Sequence, residues 1–187
     1  MDNHQIDHIL STEPVTASIF GGVYASNRLP EALPSGTKLV IANTQPDTEP
    51  GKHWVAYFFP GDDKCIFFDS YGLGPCLPSL KQFIYRNAKT YIHNKLPIQG
   101  KNTKVNGEYC IYFAVHMAKG VPFEEVLWMM DWRKGVKSGY FGMNWHKDTP
   151  SDFAIKQYID HYYPVERTQE LSKQTCVSIT EMSKRYK

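Results

Sequence analysis

The stretch from Asn106 to Gly120, NGEYCIYFAVHMAKG, constrains the fold most, because its apolar residues recur at three- and four-residue steps. That spacing is typical of one face of an α-helix, and further apolar positions widen the face. The residues concerned are Cys110, Phe113, Ala114, Met117 and Ala118, with Ile111 and Val115 on the widened side. We therefore expect a largely buried helix that ends near the glycine and must be covered by other elements.

Two aromatic and β-branched runs before this helix predict a β-hairpin. The first, HWVAYFF, covers residues 53–59, and the second, CIFFDSY, covers 65–71, with the turn-forming PGDDK between them. KLVIANT at 38–44 predicts another strand, and FGGVYASNRLP predicts a glycine turn into a short extended piece. KLPIQG is too short and proline-broken for a helix, so it is interpreted as an edge strand.

Helices are predicted on both sides of the hairpin. STEP provides a helix N-cap at Ser11 or Thr12, and LPSLKQFIYRNAKTYIHN predicts one amphipathic helix that includes Tyr91. PFEEVLWMM and SDFAIKQYIDHYY, the latter at 151–163, predict two more. Hairpin strands combined with segregated helices indicate the α+β class.

The bulk properties favour one globular domain. The length of 187 residues predicts a single domain over 1–187, with 165–187 as a peripheral C-terminal tail. Hydrophobic residues make up 42% and aromatic residues 14%, which excludes a disordered chain. No run approaches the roughly 18 apolar residues of a membrane span, and the N-terminus has no signal-peptide pattern, so no membrane partner is expected.

Cysteines and histidines give no sign of a disulfide framework or a metal site. The four cysteines form no CxxC pair, and His93, His116, His146 and His161 have no ligand-like spacing, so no cofactor is expected. The net charge of +2 gives little reason to expect nucleic acid. One stretch, DWRKGVKSGYFGMNWHK at 131–147, interleaves basic and aromatic residues and is either a weak DNA-binding surface or a solvated face beside core aromatics.

Four polar residues stand where the predicted elements begin or end. His53 begins the first hairpin strand, Asp69 closes the second, Gln99 precedes the buried helix, and Asn106 is its N-terminal edge. Taken singly, each has an ordinary reading as an edge histidine, a turn aspartate, a loop amide or a helix cap. Together they supply an imidazole base, a carboxylate to orient it, an oxyanion donor and a helix N-terminus that favours a thiolate. The sulfur itself is missing.

From IFGGVYASNRLP to QGKNTKVNGEYCIYF, roughly residues 18–120, the sequence resembles the adenain-type cysteine proteases. That family includes the adenovirus maturation protease and relatives in virophages and Polinton/Maverick-like elements, and is similar more distantly to the SUMO-protease superfamily. Its motif has a glutamine and, seven positions on, Cys-Gly, an aromatic residue, a second cysteine and a phenylalanine. Gly107, Tyr109, Cys110 and Phe113 stand in register after Gln99, and only Asn106 departs from the motif.

The resemblance implies a fold and a function. It implies a papain-like fold, with a twisted mixed or antiparallel sheet packed against a central helix that begins near 106. It implies His53 as base, Asp69 as its orienter, Gln99 as oxyanion donor and position 106 as nucleophile. The implied activity is a viral-type endopeptidase that processes capsid or other virion precursors in the virion and the host cytoplasm or nucleus.

The resemblance also implies partners. These are peptide segments of the precursors, with DNA and an activating peptide as further candidates. In the best-known member that peptide is attached through a cysteine upstream of the glutamine. No cysteine lies between Cys76 and Cys110, so this mode of attachment is in doubt here.

Asparagine at position 106 makes the chain inactive as written, because its amide nitrogen has no available lone pair and does not ionise. Cys110 is a poor substitute, since it lies one helical turn further in, on the apolar face. An engineered inactivation and a natural pseudoprotease both fit, and the intact His53, Asp69 and Gln99 favour a recent or deliberate change. An isopeptidase for ubiquitin-like modifiers and a non-catalytic binding module are the alternative functions.

Overall fold

A computed structural model describes residues 1–131 and 150–164, and within them the chain forms five strands and five helices. The class is α+β, as predicted. In chain order the elements are α1 (Asn3–Thr12), β1 (Phe20–Ala25), β2 (Leu39–Asn43), β3 (Trp54–Gly61), β4 (Lys64–Phe68), α2 (Pro78–Asn87), β5 (Thr90–His93), α3 (Asn106–Ala118), α4 (Phe123–Met130) and α5 (Pro150–Tyr162).

The strands form one mixed sheet in the order β1-β2-β3-β4-β5. The outer pairs, β1–β2 and β4–β5, are parallel, whereas the inner pairs are antiparallel. The predicted hairpin is confirmed as β3–β4, with Ala56 opposite Phe68. Its turn holds Asp62 and Asp63 at φ values of 54° and 56°, the left-handed region that a tight hairpin turn requires.

Both faces of the sheet are covered, because side chains alternate along each strand. In β2, Leu39 and Ile41 face one hydrophobic cluster, whereas Val40 and Ala42 face the other. Helix α2 covers the second cluster, and α1, α3, α4 and α5 cover the first. His53 and Asp69 lie just beyond the ends of β3 and β4, and Asn106 begins α3.

Helix α3 is buried, as its apolar pattern predicts. Phe113 at its centre stacks on Phe68 of β4 with ring centroids 4.8 Å apart and meets Phe123 of α4 edge-on at 6.0 Å. Cys110 and Ala114 are fully buried in the same cluster. The helix is thereby fixed against the strands that flank the hairpin turn, and its first residue is held at a defined point.

The predicted helix start at Ser11 or Thr12 is wrong, because α1 ends there. The helix begins after Asp2, whose carboxylate accepts from the Gln5 N–H while the Gln5 side chain accepts from the Asp2 N–H. The Thr12 hydroxyl donates back to the His8 carbonyl at 2.7 Å. A serine or threonine hydroxyl can accept from N–H groups at the start of a helix or donate to carbonyl groups at its end. Its presence in the sequence therefore does not show which end of the helix it marks.

The single helix predicted over the segment from Leu77 to Asn94 is also wrong in its second half. It ends at Asn87, and Thr90–His93 forms β5, whose residue Tyr91 pairs with Cys65 of β4. The edge strand expected in KLPIQG is absent, since the described residues 95–100 have no strand. The edge position belongs to β5 instead.

None of the helices in the described part of the chain is long and apolar enough to cross a membrane. Within residues 1–131 and 150–164, no group of three or more His, Cys, Asp or Glu side chains is arranged to hold a metal ion. The basic and aromatic stretch 131–147, apart from Asp131, and the predicted tail 165–187 lie outside the described residues.

Candidate active site

The hairpin brings His53 and Asp69 into direct contact. His53 immediately precedes β3 and Asp69 immediately follows β4, so antiparallel pairing sets them at the same end of the two strands. The imidazole Nε2 lies 2.9 Å from the Asp69 carboxylate Oδ1. The side chains are 15% and 5% exposed respectively, so the pair is shielded from water. The hydrogen bond expected between base and orienting carboxylate is present.

This contact determines which nitrogen of His53 can act as a base. A carboxylate only accepts hydrogen bonds, so Nε2 carries the proton and Nδ1 of the neutral ring carries the lone pair. Nδ1 is buried and has no hydrogen-bond partner among the described residues. An unpartnered basic nitrogen beside a fixed carboxylate is the arrangement that a proton-transfer residue requires.

Helix α3 begins at Asn106, the position predicted for the nucleophile. Its N-cap residue is Val105, whose apolar side chain makes no capping hydrogen bond. The backbone N–H groups there and the helix dipole therefore favour a negative charge. Asn106 is 3% exposed, and its Oδ1 has no hydrogen-bond partner among the described residues.

Gln99 lies in the loop before α3 and is 4% exposed. Its side-chain Oε1 accepts from the Ser70 hydroxyl at 2.6 Å, and its Nε2 donates to the Thr103 carbonyl at 2.8 Å. The backbone N–H groups of Ile98 and Gln99 both donate to the Ser70 carbonyl, at 2.9 and 3.0 Å. The residue after Asp69 thus holds the predicted oxyanion donor through its backbone and its side chain.

Tyr71 connects the other members of the site. Its ring stacks on the His53 imidazole with centroids 4.9 Å apart, and its hydroxyl lies 3.3 Å from Gln99 Nε2. Burial raises the pKa of the Tyr71 phenol, and the Asp69 charge raises it further, while a hydrogen-bonding contact with the Asn106 side chain opposes the rise. The histidine, the glutamine amide and position 106 therefore surround one tyrosine side chain.

Cys110 does not share in this arrangement. It is fully buried, and burial, together with the charges of Asp69 and Glu108, holds the pKa of its thiol well above its usual range. A thiol that stays protonated inside an apolar cluster is a packing residue. The sequence predicted this buried position on the apolar face of the helix.

Tyr71, Ser70 and Asn94 belong to the site but have no distinctive signal as single residues in the sequence. Continuing the β3–β4 register from Ala56 and Phe68 would have brought His53 opposite Tyr71. Asn94, which bonds to the backbone of Asp69, follows β5, and a sequence pattern that predicts helix there gives no sign of its role. Compared with family models and with curated proteins, the sequence gave no match.

Proposed function

We propose that this chain has the architecture of the papain-like, adenain-type cysteine endopeptidases, with position 106 as the nucleophile position. The observation that carries the proposal is the 2.9 Å contact of His53 with Asp69, which leaves a buried basic Nδ1 without a partner among the described residues. The contacts of Tyr71 with His53 and with Asn106 support the nearness of that base to the start of α3.

A thiol at position 106 would complete the chemistry. Its proton passes to His53 Nδ1, and the sulfur attacks the carbonyl carbon of the scissile peptide bond. Gln99 Nε2 and a backbone N–H at the start of α3 stabilise the oxyanion. When the C–N bond breaks, the imidazolium protonates the leaving amine. Water then hydrolyses the thioester, with His53 accepting a proton from the water and returning it to the departing sulfur.

Asn106 stops this sequence at its first step, because an amide nitrogen neither ionises nor attacks. The chain as it stands would bind a peptide without cleaving it. This single residue is also the observation that favours the second candidate, a non-catalytic module that binds a peptide at the same site. The proposed ligands are peptide segments of capsid or other virion precursors, on the strength of the family resemblance.

The deciding experiment is the substitution Asn106→Cys. We expect it to produce turnover of a peptide library with small residues such as glycine at the scissile bond, and iodoacetamide should abolish that turnover. Asn106→Ala is the matched control and should remain inactive. The assays are repeated with DNA and with virion peptides, and fusions of ubiquitin-like modifiers test the isopeptidase alternative. Absence of thiol-dependent turnover in every arm would leave the binding module as the better reading.

A further inference from the structure

The side-chain amide of Gln99 has only one N–H free to stabilise an oxyanion. A backbone carbonyl can only accept, so the 2.8 Å contact with Thr103 requires Nε2 on that side and uses one of its two hydrogens. The Ser70 hydroxyl, 2.6 Å from Oε1, holds the amide in the same orientation. The second N–H faces the Tyr71 hydroxyl oxygen, 3.3 Å away.

The Tyr71 hydroxyl oxygen lies between the Gln99 side-chain amide and the Thr103 carbonyl. It accepts from Gln99, and its own proton is directed to the Thr103 carbonyl at 3.4 Å. The Asn106 side chain lies near enough to the hydroxyl to oppose the rise in the pKa of the Tyr71 phenol. An oxygen that binds the oxyanion donor, near the nucleophile position, stands where the carbonyl oxygen of a scissile peptide has to bind.

We propose that Tyr71 is a gate whose hydroxyl occupies the oxyanion position in the resting protein and must leave before a peptide substrate can bind productively. The inference rests on the proposed function, because it takes Gln99 and position 106 as parts of one catalytic site. Two oxygen atoms cannot share one donor site and one volume. The Tyr71 ring stacks on the His53 imidazole, so the gate lies directly beside the base.

The gate opens by rotation of one side chain. The Tyr71 backbone N–H donates to Asp69 Oδ1 at 2.8 Å, and the Gly72 N–H donates to the Asp69 carbonyl at 2.8 Å. Gly72 has φ of +71°, and a Cβ there would collide with the Leu96 backbone, so the turn cannot shift freely. The Tyr71 ring is only partly buried, which leaves it a route toward solvent while the pair of His53 and Asp69 stays intact.

The test measures access to position 106 without relying on catalysis. In the Asn106→Cys background, alkylation by iodoacetamide is followed at each thiol by peptide mass spectrometry, with rates compared at their high-pH limit. Cys76 is exposed and serves as the internal reference, whereas Cys65 and Cys110 are buried. We expect Tyr71→Ala and Tyr71→Phe to speed alkylation at position 106 about tenfold, the factor that corresponds to one neutral hydrogen bond. Tyr85→Phe, an exposed tyrosine on α2, is the matched control and should change nothing.

Peptide kinetics separate the gate from the proposed function. With turnover present, Tyr71→Phe should raise kcat/KM, chiefly through a lower KM, because the donor of Gln99 is freed while the ring is kept. Faster alkylation without turnover in any variant would support the gate and contradict the peptidase. Unchanged alkylation in both Tyr71 variants would overturn the gate. A tenfold fall of kcat in Tyr71→Phe with unchanged alkylation would also overturn it, because the hydroxyl would then be an oxyanion donor.

Discussion

Asn94 holds the peptide backbone of Asp69 from both sides, as a neighbouring strand would. Its Oδ1 accepts from the Asp69 N–H at 3.1 Å, and its Nδ2 donates to the Asp69 carbonyl at 2.6 Å. Asn94 is 3% exposed and comes directly after β5, the strand that pairs with β4. The asparagine thus continues the β4–β5 pairing past the end of the ladder and fixes the residue that orients His53.

Asn94→Ala should therefore weaken the fold and the site together. The buried Asp69 N–H loses its partner, while the Asp69 carbonyl keeps the Gly72 N–H, so we expect a loss of about 1–3 kcal/mol in the free energy of unfolding. Urea unfolding measures it, and Asn27→Ala is the control, because Asn27 makes its contacts with Asp47 on the surface. An equal loss of unfolding free energy in both variants would mean that the buried contacts of Asn94 stabilise the fold no more than the surface contacts of Asn27.

The roles proposed for His53 and Asp69 predict unequal losses of turnover. In the Asn106→Cys enzyme, His53→Ala removes the base and should lower kcat by several powers of ten. Asp69→Asn should cost less, because a neutral amide can still hold the ring but stabilises imidazolium poorly. In the chain that keeps Asn106, His53→Ala and Asp69→Asn should each change the affinity for an uncleaved peptide little. An equal kcat in the Asn106→Cys enzyme with and without His53→Ala would exclude the imidazole as the base.

Cys110→Ala tests the remaining thiol near the site. The residue is fully buried, so trimming its side chain should cost on the order of 1 kcal/mol in stability. Activity of the Asn106→Cys enzyme should stay mostly intact. The two measurements are thermal unfolding and peptide turnover on the same preparation. Lost turnover at an unchanged melting temperature would identify Cys110 as the nucleophile instead.

Glu108, in the first turn of α3, should make stability depend on pH. Burial raises the pKa of its carboxyl, and a backbone hydrogen bond and the charge of Lys156 oppose only part of the rise. The folded protein then holds this proton more tightly than the unfolded chain. The contribution to stability is therefore full below the ordinary glutamate pKa of 4.5 and is lost as the pH rises through the raised value.

Glu108→Gln should remove this slope. Near neutral pH the variant should be more stable than the parent by on the order of 1 kcal/mol, since a buried group without a partner for its Oε2 among the described residues no longer has to ionise. Urea unfolding between about pH 4 and pH 8 measures it. Glu125→Gln, exposed on α4, is the control. A less stable Glu108→Gln with an unchanged slope would contradict the assignment.

Asp152 should hold in place the loop that carries Gln99, the proposed oxyanion donor. Its Oδ2 accepts from the Gly100 N–H at 3.1 Å and its Oδ1 from the Tyr109 hydroxyl at 3.0 Å, which ties α5 to the residue after Gln99. In the Asn106→Cys enzyme, Asp152→Ala should lower kcat about tenfold with little change in KM, the signature of a lost transition-state contact. Tyr109→Phe removes one of these bonds and should have a smaller effect. A change in KM alone would point to substrate binding.

The sequence could predict those parts of the site that depend on local pattern. His53 and Asp69 lie at the ends of two clear strands, and Asn106 begins a helix whose apolar face is unmistakable. Strand pairing and helix burial follow from those patterns with little help from distant residues. The α+β class was predictable for the same reason.

The parts that escaped prediction depend on pairing between distant segments. Thr90–His93 is only four residues long and becomes a strand because β4 offers it a parallel partner. The role of Asn94 follows from that pairing. Tyr71 became visible only through the register of the hairpin, and Asp152 approaches Gly100 from a helix more than fifty positions away in the chain.

The topology of the sheet also orders the assembly of the site during folding. The antiparallel strands β2, β3 and β4 are joined by short connections and are expected to pair early, because closing a short loop costs little conformational entropy. His53 and Asp69 belong to this segment, whereas Gln99 and position 106 reach it only after β5 and α3 have docked. A chain with a thiol at position 106 would therefore acquire its nucleophile last. If the proposed function holds, incompletely folded chains, including those still on the ribosome, would be unable to cleave neighbouring proteins.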